Sequence, residues 1–238
     1  MSAGVPTDVG DNCDVPLTRS LATADEIRVY LVDRLNLALR RPGMFGKETA
    51  LRMLMDHLLF LEKEPEAWTE QQRIWNDRGA WTSTGVAGAF RDLVPGHYDD
   101  HCTASVYAEF AHRRDWLVPD RVLDAGEFHA LRNSARQWAG VDRVWPDVTA
   151  EFGAPSLLIG GTNPYYGKTL GFLSEDPEDP IVFFHLWNGS APDDEARWPE
   201  LEEPLLLAVR FGNGNFRETV TFTPEGRRRR PEADAPCR

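Results

Sequence analysis

Lysine is almost missing from this chain. Its 26 basic residues include only Lys47, Lys63 and Lys168, and the others are arginines. That usage fits the codon bias of a GC-rich bacterial genome and carries no functional information. Positive charge of any kind is in short supply, with 38 acidic residues and a formal net charge of −12. A chain of this sign has no electrostatic drive toward nucleic acid or an anionic membrane surface. A basic protein or a cation is left open as a partner. Cysteine is scarce too: Cys13, Cys102 and Cys237 form no Cys-x-x-Cys pair. That excludes a disulfide framework and points to a reducing compartment. No apolar run approaches the length of about 20 residues that crosses a bilayer. The first residues carry acidic groups, Pro and Gly where a signal peptide has positive charge and an apolar stretch. The expectation is a cytoplasmic protein with no membrane contact.

Catalytic signatures are missing as well. Gly161-Thr162-Asn163-Pro164-Tyr165-Tyr166-Gly167-Lys168-Thr169 has the outline of a phosphate-binding P-loop. That loop needs four residues between its first glycine and the Gly-Lys-Thr. Here five follow Gly161 and six follow Gly160. The next residues form a short apolar run and an acidic turn, with no helix to hold a phosphate, and Pro164 removes an amide. The segment reads as a glycine-rich connection between two strands. There is no Gly-x-Ser-x-Gly elbow or Ser-x-x-Lys. Gly212-Asn213-Gly214 is followed by a strand, so it is no dinucleotide fingerprint. His97, His101 and Cys102 are metal-capable, but His112, on the same helical face as His101, stands about 16 Å along the axis. No metal and no cofactor are expected. Cys102 reads as a small buried thiol.

Arg41-Pro42-Gly43-Met44-Phe45-Gly46 stands between two apolar helices and resembles the Arg-Pro-Gly-Met-Tyr-Ile-Gly element of DNA gyrase B-type ATPases. The resemblance spans these six residues. In that family the following helix carries a catalytic Glu and a magnesium-binding Asn. Here that helix offers Asp56, His57 and Glu62 but no Asn, and an Asp-x-Gly-x-Gly adenine element is absent. The segment is read as a helix stop with a glycine-rich turn, and no residue role is carried over.

What the chain does contain is a clear division. Residues 1–20 and 226–238 read as disordered tails around one domain, 21–225. In 21–152 the periodicity is helical. Thr23 and Glu26 form a capping box, with cap candidates at Thr84 and Asp100 for later helices. In 153–225 five apolar runs read as strands: 156–160, 169–173, 181–187, 204–211 and 216–222. Segregated elements predict an α+β fold: a helical N-terminal two thirds packed on one face of a C-terminal antiparallel sheet of about five strands.

Asn213-Gly214, taken as a two-residue turn, pairs Phe211 with Phe216, Val209 with Glu218 and Leu207 with Val220. Glu218 is then the single charge on an apolar face, with a raised pKa, and Arg210 faces water. His185 lies in a run that is apolar on both faces, which suits a covered central strand. Two readings of function follow. One is a non-catalytic, acidic cytoplasmic protein that recognises a protein partner, an inhibitor or immunity-type role by class analogy. Its contact loop is Asn163, Tyr165, Tyr166 and Lys168. The other is a small enzyme acting on an anionic small molecule at the helix–sheet junction. There His185 is the base, Glu218 the acid or orienter and Lys168 the anion holder.

Overall fold

The computed structural model describes residues 22–95, 99–189 and 199–231. The N-terminal tail expectation lies outside these residues. Thr23 caps α1 (Ala24–Arg40) through the expected capping box, its Oγ1 accepting from the Glu26 amide at 3.2 Å. Helix α2 (Lys47–Leu61) folds back on α1, and Arg28 meets Glu62 at 3.1 Å. Then come α3 (Glu66–Asp77), α4 (Ala87–Phe90), α5 (Asp99–Arg113), α6 (Ala125–Trp138), α7 (Trp145–Phe152) and a C-terminal α8 (Pro224–Arg228). Among the described residues no helix is long and apolar enough to cross a membrane.

Two expected caps are taken over by tertiary contacts. Thr84 does not cap α4. Glu48 on α2 does so from a distance, accepting from the amides of Val86 and Ala87 at 2.8 and 3.1 Å. Asp100 sits inside the first turn of α5, paired with Lys47 at 2.9 Å. Of the expected C-terminal tail, residues 226–231 are among those described, and α8 runs into them. Among them, Arg229 pairs with Glu200 and Glu225.

The fold is α+β. Five strands, β1 (Leu157–Ile159), β2 (Lys168–Phe172), β3 (Val182–Trp187), β4 (Leu205–Arg210) and β5 (Val220–Phe222), form one antiparallel sheet in sequence order. Helices were expected on one face, but both faces are covered. One carries Leu170, Phe172, Val182, Phe184 and Val209 into a core shared with α6 and α7. The other carries Leu157, Ile159, Phe183, Ala208 and Phe222 into the core of α1, α2 and α5. Each large side chain so covered contributes about 1.5–3 kcal/mol. Gly171 is needed here. A Cβ would meet the Phe183 ring at 2.9 Å, and Phe183 is its cross-strand partner.

The last hairpin departs from the expected register. Arg210 pairs with Val220, Val209 with Thr221 and Ala208 with Phe222. The connection is a long loop closed by the Phe211 amide on Thr219 O at 3.1 Å, with a 3-10 turn at Phe216–Thr219. Arg78, at the end of α3, binds Gly212 O and Gly214 O and accepts from the Phe216 amide. Phe216 is thereby buried edge-on against Phe90, ring centroids 5.0 Å apart. Burial of an aromatic side chain outweighs the local preference for an Asn-Gly turn. The slip is odd, so β5 turns the other face. Val220 and Phe222 join Ala208 on the α5 side.

Candidate functional site

Helix α5 lays a polar line on the sheet. Cys102, Ser105, Glu109 and His112 follow one another at intervals of three, four and three residues, which keeps them on one helical face. Opposite, the strands project Thr169 (β2), His185 (β3) and Arg210 (β4). The result is a buried polar seam inside an otherwise apolar interface.

At its N-terminal end, Cys102 Sγ lies 3.4 Å from His185 Nδ1, and Thr169 Oγ1 lies 3.0 Å from the same nitrogen. His185 is buried against the rings of Phe90 and Phe183. Desolvation, then the charge of Arg210 and the nearness of His101, hold its pKa well below the ordinary imidazole value. It is neutral at pH 7. Its Nε2 is buried and has no hydrogen-bond partner among the described residues. Neighbouring His101 is lowered to about 4, chiefly by desolvation, with Asp100 opposing and Lys168 adding to the shift. A thiol beside an imidazole has the composition of a nucleophile and its base. The cavity at this pair measures about 10 Å³, roughly the space of one water. In this structure the pair contacts protein on every side that the cavity leaves, and it holds α5 to the sheet.

At mid-seam, Arg210 is fully buried. Its Nη1 ion-pairs with Glu109 Oε1, its Nη2 donates to Ser105 Oγ at 2.9 Å, and its guanidinium lies over Phe183 and Phe216 at 4.9 and 5.5 Å. The sequence reading sent Arg210 to solvent, because it assumed a bare second face. α5 covers that face, and Glu109 answers the charge. Neither residue was singled out from sequence. The signal available was one acidic residue inside the apolar run of α5.

The three groups of the acid–base reading do not converge. Glu218 stands exposed in the 3-10 turn, off the strand that would have buried it. Lys168 is buried, and its Nζ donates to Asn163 O and Gly161 O at 2.8 and 3.3 Å and lies 3.8 Å over the Trp145 ring. Desolvation lowers its pKa to about 8, with Glu203 opposing. Neither residue lines the cavity at His185. Among the described residues no group of three or more His, Cys, Asp or Glu could hold a metal ion, and His97 lies outside them.

The β1–β2 loop is built from within. Lys168 gathers its carbonyls, Asn163 Oδ1 accepts from the Tyr165 amide at 2.9 Å, and Gly160 takes φ +106° with its amide on Arg40 O. Tyr165 and Tyr166 remain half exposed, at 51% and 47%. The turn after α1 adjoins this loop, with the Arg41 guanidinium beside Gly161, and it exposes Met44. Asn188, at the end of β3, was not anticipated. Its Nδ2 donates to Pro164 O at 3.2 Å and to Leu201 O at 2.8 Å. It thus ties the tyrosine loop to the segment that carries Glu200, Glu202 and Glu203. Comparison with protein-family models, with curated proteins and with solved structures finds no match to this chain.

Proposed function

We propose that this is an acidic, non-catalytic protein that recognises a basic protein partner through the β1–β2 loop and the neighbouring Glu200–Glu203 segment. The observation that carries this reading is the Asn188 clamp, which ties the loop of two exposed tyrosines to the segment that carries the exposed Glu202. Tyrosine supplies large contact area for little lost entropy, and it is favoured where binding energy concentrates. The loop gains its shape from Lys168, Asn163 and Asn188 before any partner arrives, which lowers the cost of ordering on binding. Exposed Glu202 and the net charge of −12 supply complementarity to a basic surface and speed encounter with it. An inhibitor or immunity-type role fits this design by class analogy. A cytoplasmic setting fits the cysteine usage.

The test uses the native chain as bait in low-salt lysate of the organism that encodes it. Tyr165→Ser/Tyr166→Ser and Glu202→Gln/Glu203→Gln variants run in parallel. A basic protein is expected to be retained by the native chain and lost with either variant and in 0.5 M salt, a concentration that screens charge beyond about 4–5 Å. Failure to retain any basic protein, or retention that both variants share with the native chain, overturns the reading.

A further inference from the structure

Helices α1 and α2 bury their inner stripes in the core they share with α5, Leu35 and Leu39 from one and Leu51 and Met55 from the other. Their outer stripes are apolar as well. On α1, Tyr30, Arg34 and Leu37 follow one another at intervals of four and three residues. On α2, Met53, Asp56 and Phe60 follow at three and four. Each trio therefore lies on one face of its helix. Phe60 is 72% exposed and Tyr30 60%, and Leu37 and Met53 are open to water with them. Scattered singly, such side chains need no explanation; four of them on one face mark an interaction surface.

The Arg28–Glu62 pair sets the register of the hairpin. Counted inward from it by two, six and nine residues, Tyr30 stands level with Phe60, Arg34 with Asp56 and Leu37 with Met53. Asp33 and His57, beside the charged level, are matched in the same way. Arg34 lies over the Tyr30 ring at 5.4 Å, and neither Arg34 nor Asp56 forms an ion pair among the described residues. Such a face is complementary to itself. A two-fold axis along the helices lays α1 of one copy antiparallel on α2 of the other and keeps every level. Tyr30 then meets Phe60, Leu37 meets Met53, and Arg34 meets Asp56, each of them twice.

We infer that this face is a two-fold interface between two copies of the chain, closing into an antiparallel four-helix layer. Charge selects a second copy as the occupant. Two chains of net charge −12 repel at long range, but here Arg34 of each copy answers Asp56 of the other, with Asp33 opposite His57. The area suffices for a weak dimer. Helices of 17 and 15 residues present a face of roughly 20 by 22 Å, which covers on the order of 1,000 Å² over both copies. No residue of the β1–β2 loop or of the Glu200–Glu203 segment belongs to this face, so the dimer and the partner surface stand or fall separately.

Sedimentation equilibrium and light scattering on the full chain measure the association, with reductant present so that no cysteine cross-links copies. A monomer–dimer equilibrium with a Kd in the micromolar range is expected. It persists in about 0.5 M salt, because the contact is mainly apolar and the net charges repel. Phe60→Ser should raise the Kd about tenfold or more, the usual effect of losing an aromatic anchor. Arg34→Asp and Asp56→Arg should each raise it severalfold, and the double variant, which swaps the two charges, should return close to the native value. All three positions are exposed, so the variants keep the fold, which circular dichroism checks. The inference is overturned if the chain stays monomeric into the high micromolar range, if it forms species beyond the dimer, if salt dissolves the dimer, if Phe60→Ser associates like the native chain, or if the charge swap fails to restore what the single changes lose. A chain that is monomeric but takes up a different protein in a manner sensitive to Phe60→Ser assigns the face to that partner and overturns the inference too.

Discussion

The two faces of the sheet are packed by different rules. Toward α6 and α7, strands β2, β3 and β4 present Leu170, Phe172, Val182, Phe184, Leu206 and Val209, and Lys168 appears only at the end of β2. Toward α5, the same strands interleave Thr169, His185 and Arg210 with Phe183 and Ala208. An apolar face tolerates substitution by another side chain of similar volume. A face with a buried ion pair and a buried imidazole does not, because each polar atom needs its own partner. The α5 face is thus where geometry is most tightly specified, and it leads at one end to a closed thiol–imidazole pair and at the other to an open cleft bordered by Arg78, Glu109 and His112.

The largest test of this contrast is Glu109→Ala. It leaves Arg210 charged and buried alone, a loss of about 3–5 kcal/mol. For a domain of this size the melting temperature then falls on the order of 10 °C. Replacing both partners by apolar residues, Glu109→Leu with Arg210→Met, should recover most of that loss. Thermal and urea unfolding measure both. If Glu109→Ala melts within a degree or two of the native chain, the seam has no special energetic role.

Acid should act on the α5 face next. The folded pKa of His101, about 4, lies below its ordinary 6.5, and that of His185 is lowered too. Between these values the unfolded chain binds more protons than the folded one, so stability rises with pH through this window. Stability is therefore fully present above about pH 6.5 and lost as pH falls toward about 4. The fall in melting temperature between pH 7 and pH 4.5 should be shallower in His101→Gln. An identical slope in the two proteins would show that other groups govern the acid limb.

The smallest effect belongs to the other face. Phe184→Leu, against α6 and α7, should cost less than about 1.5 kcal/mol because its neighbours can repack. A loss as large as that of Glu109→Ala would erase the distinction between the faces.

Much of the architecture was legible because its causes are local. The Thr23–Glu26 box starts α1 where it must, since both partners lie three residues apart. The apolar run 181–187 is a covered central strand, as its two-faced pattern requires. Lys168, Asn163 and the tyrosines read as one loop in the sequence; in the structure Asn163 and the tyrosines form the β1–β2 loop, and Lys168 opens β2 and reaches back to the Asn163 carbonyl. The pairing of His185 with Glu218 failed for a non-local reason. It depended on an Asn-Gly turn, and the contact of Arg78 with that loop spans more than 130 residues. Cys102 and His185 stand 83 positions apart and Glu109 and Arg210 stand 101 apart, so no spacing rule could bring them together.

By itself, the sequence determined the order of helices and strands, the α+β class, the net negative charge and the loop that carries the tyrosines. These follow from periodicity, capping and charge, which act over a few residues or over the whole composition. Only the tertiary structure decided that the sheet is covered twice, that Arg210 is buried on Glu109, that Cys102 meets His185, and that Asn188 joins the tyrosine loop to an acidic run. Each of those depends on which surfaces meet, and burial sets a polar group's energy only after the chain has closed around it.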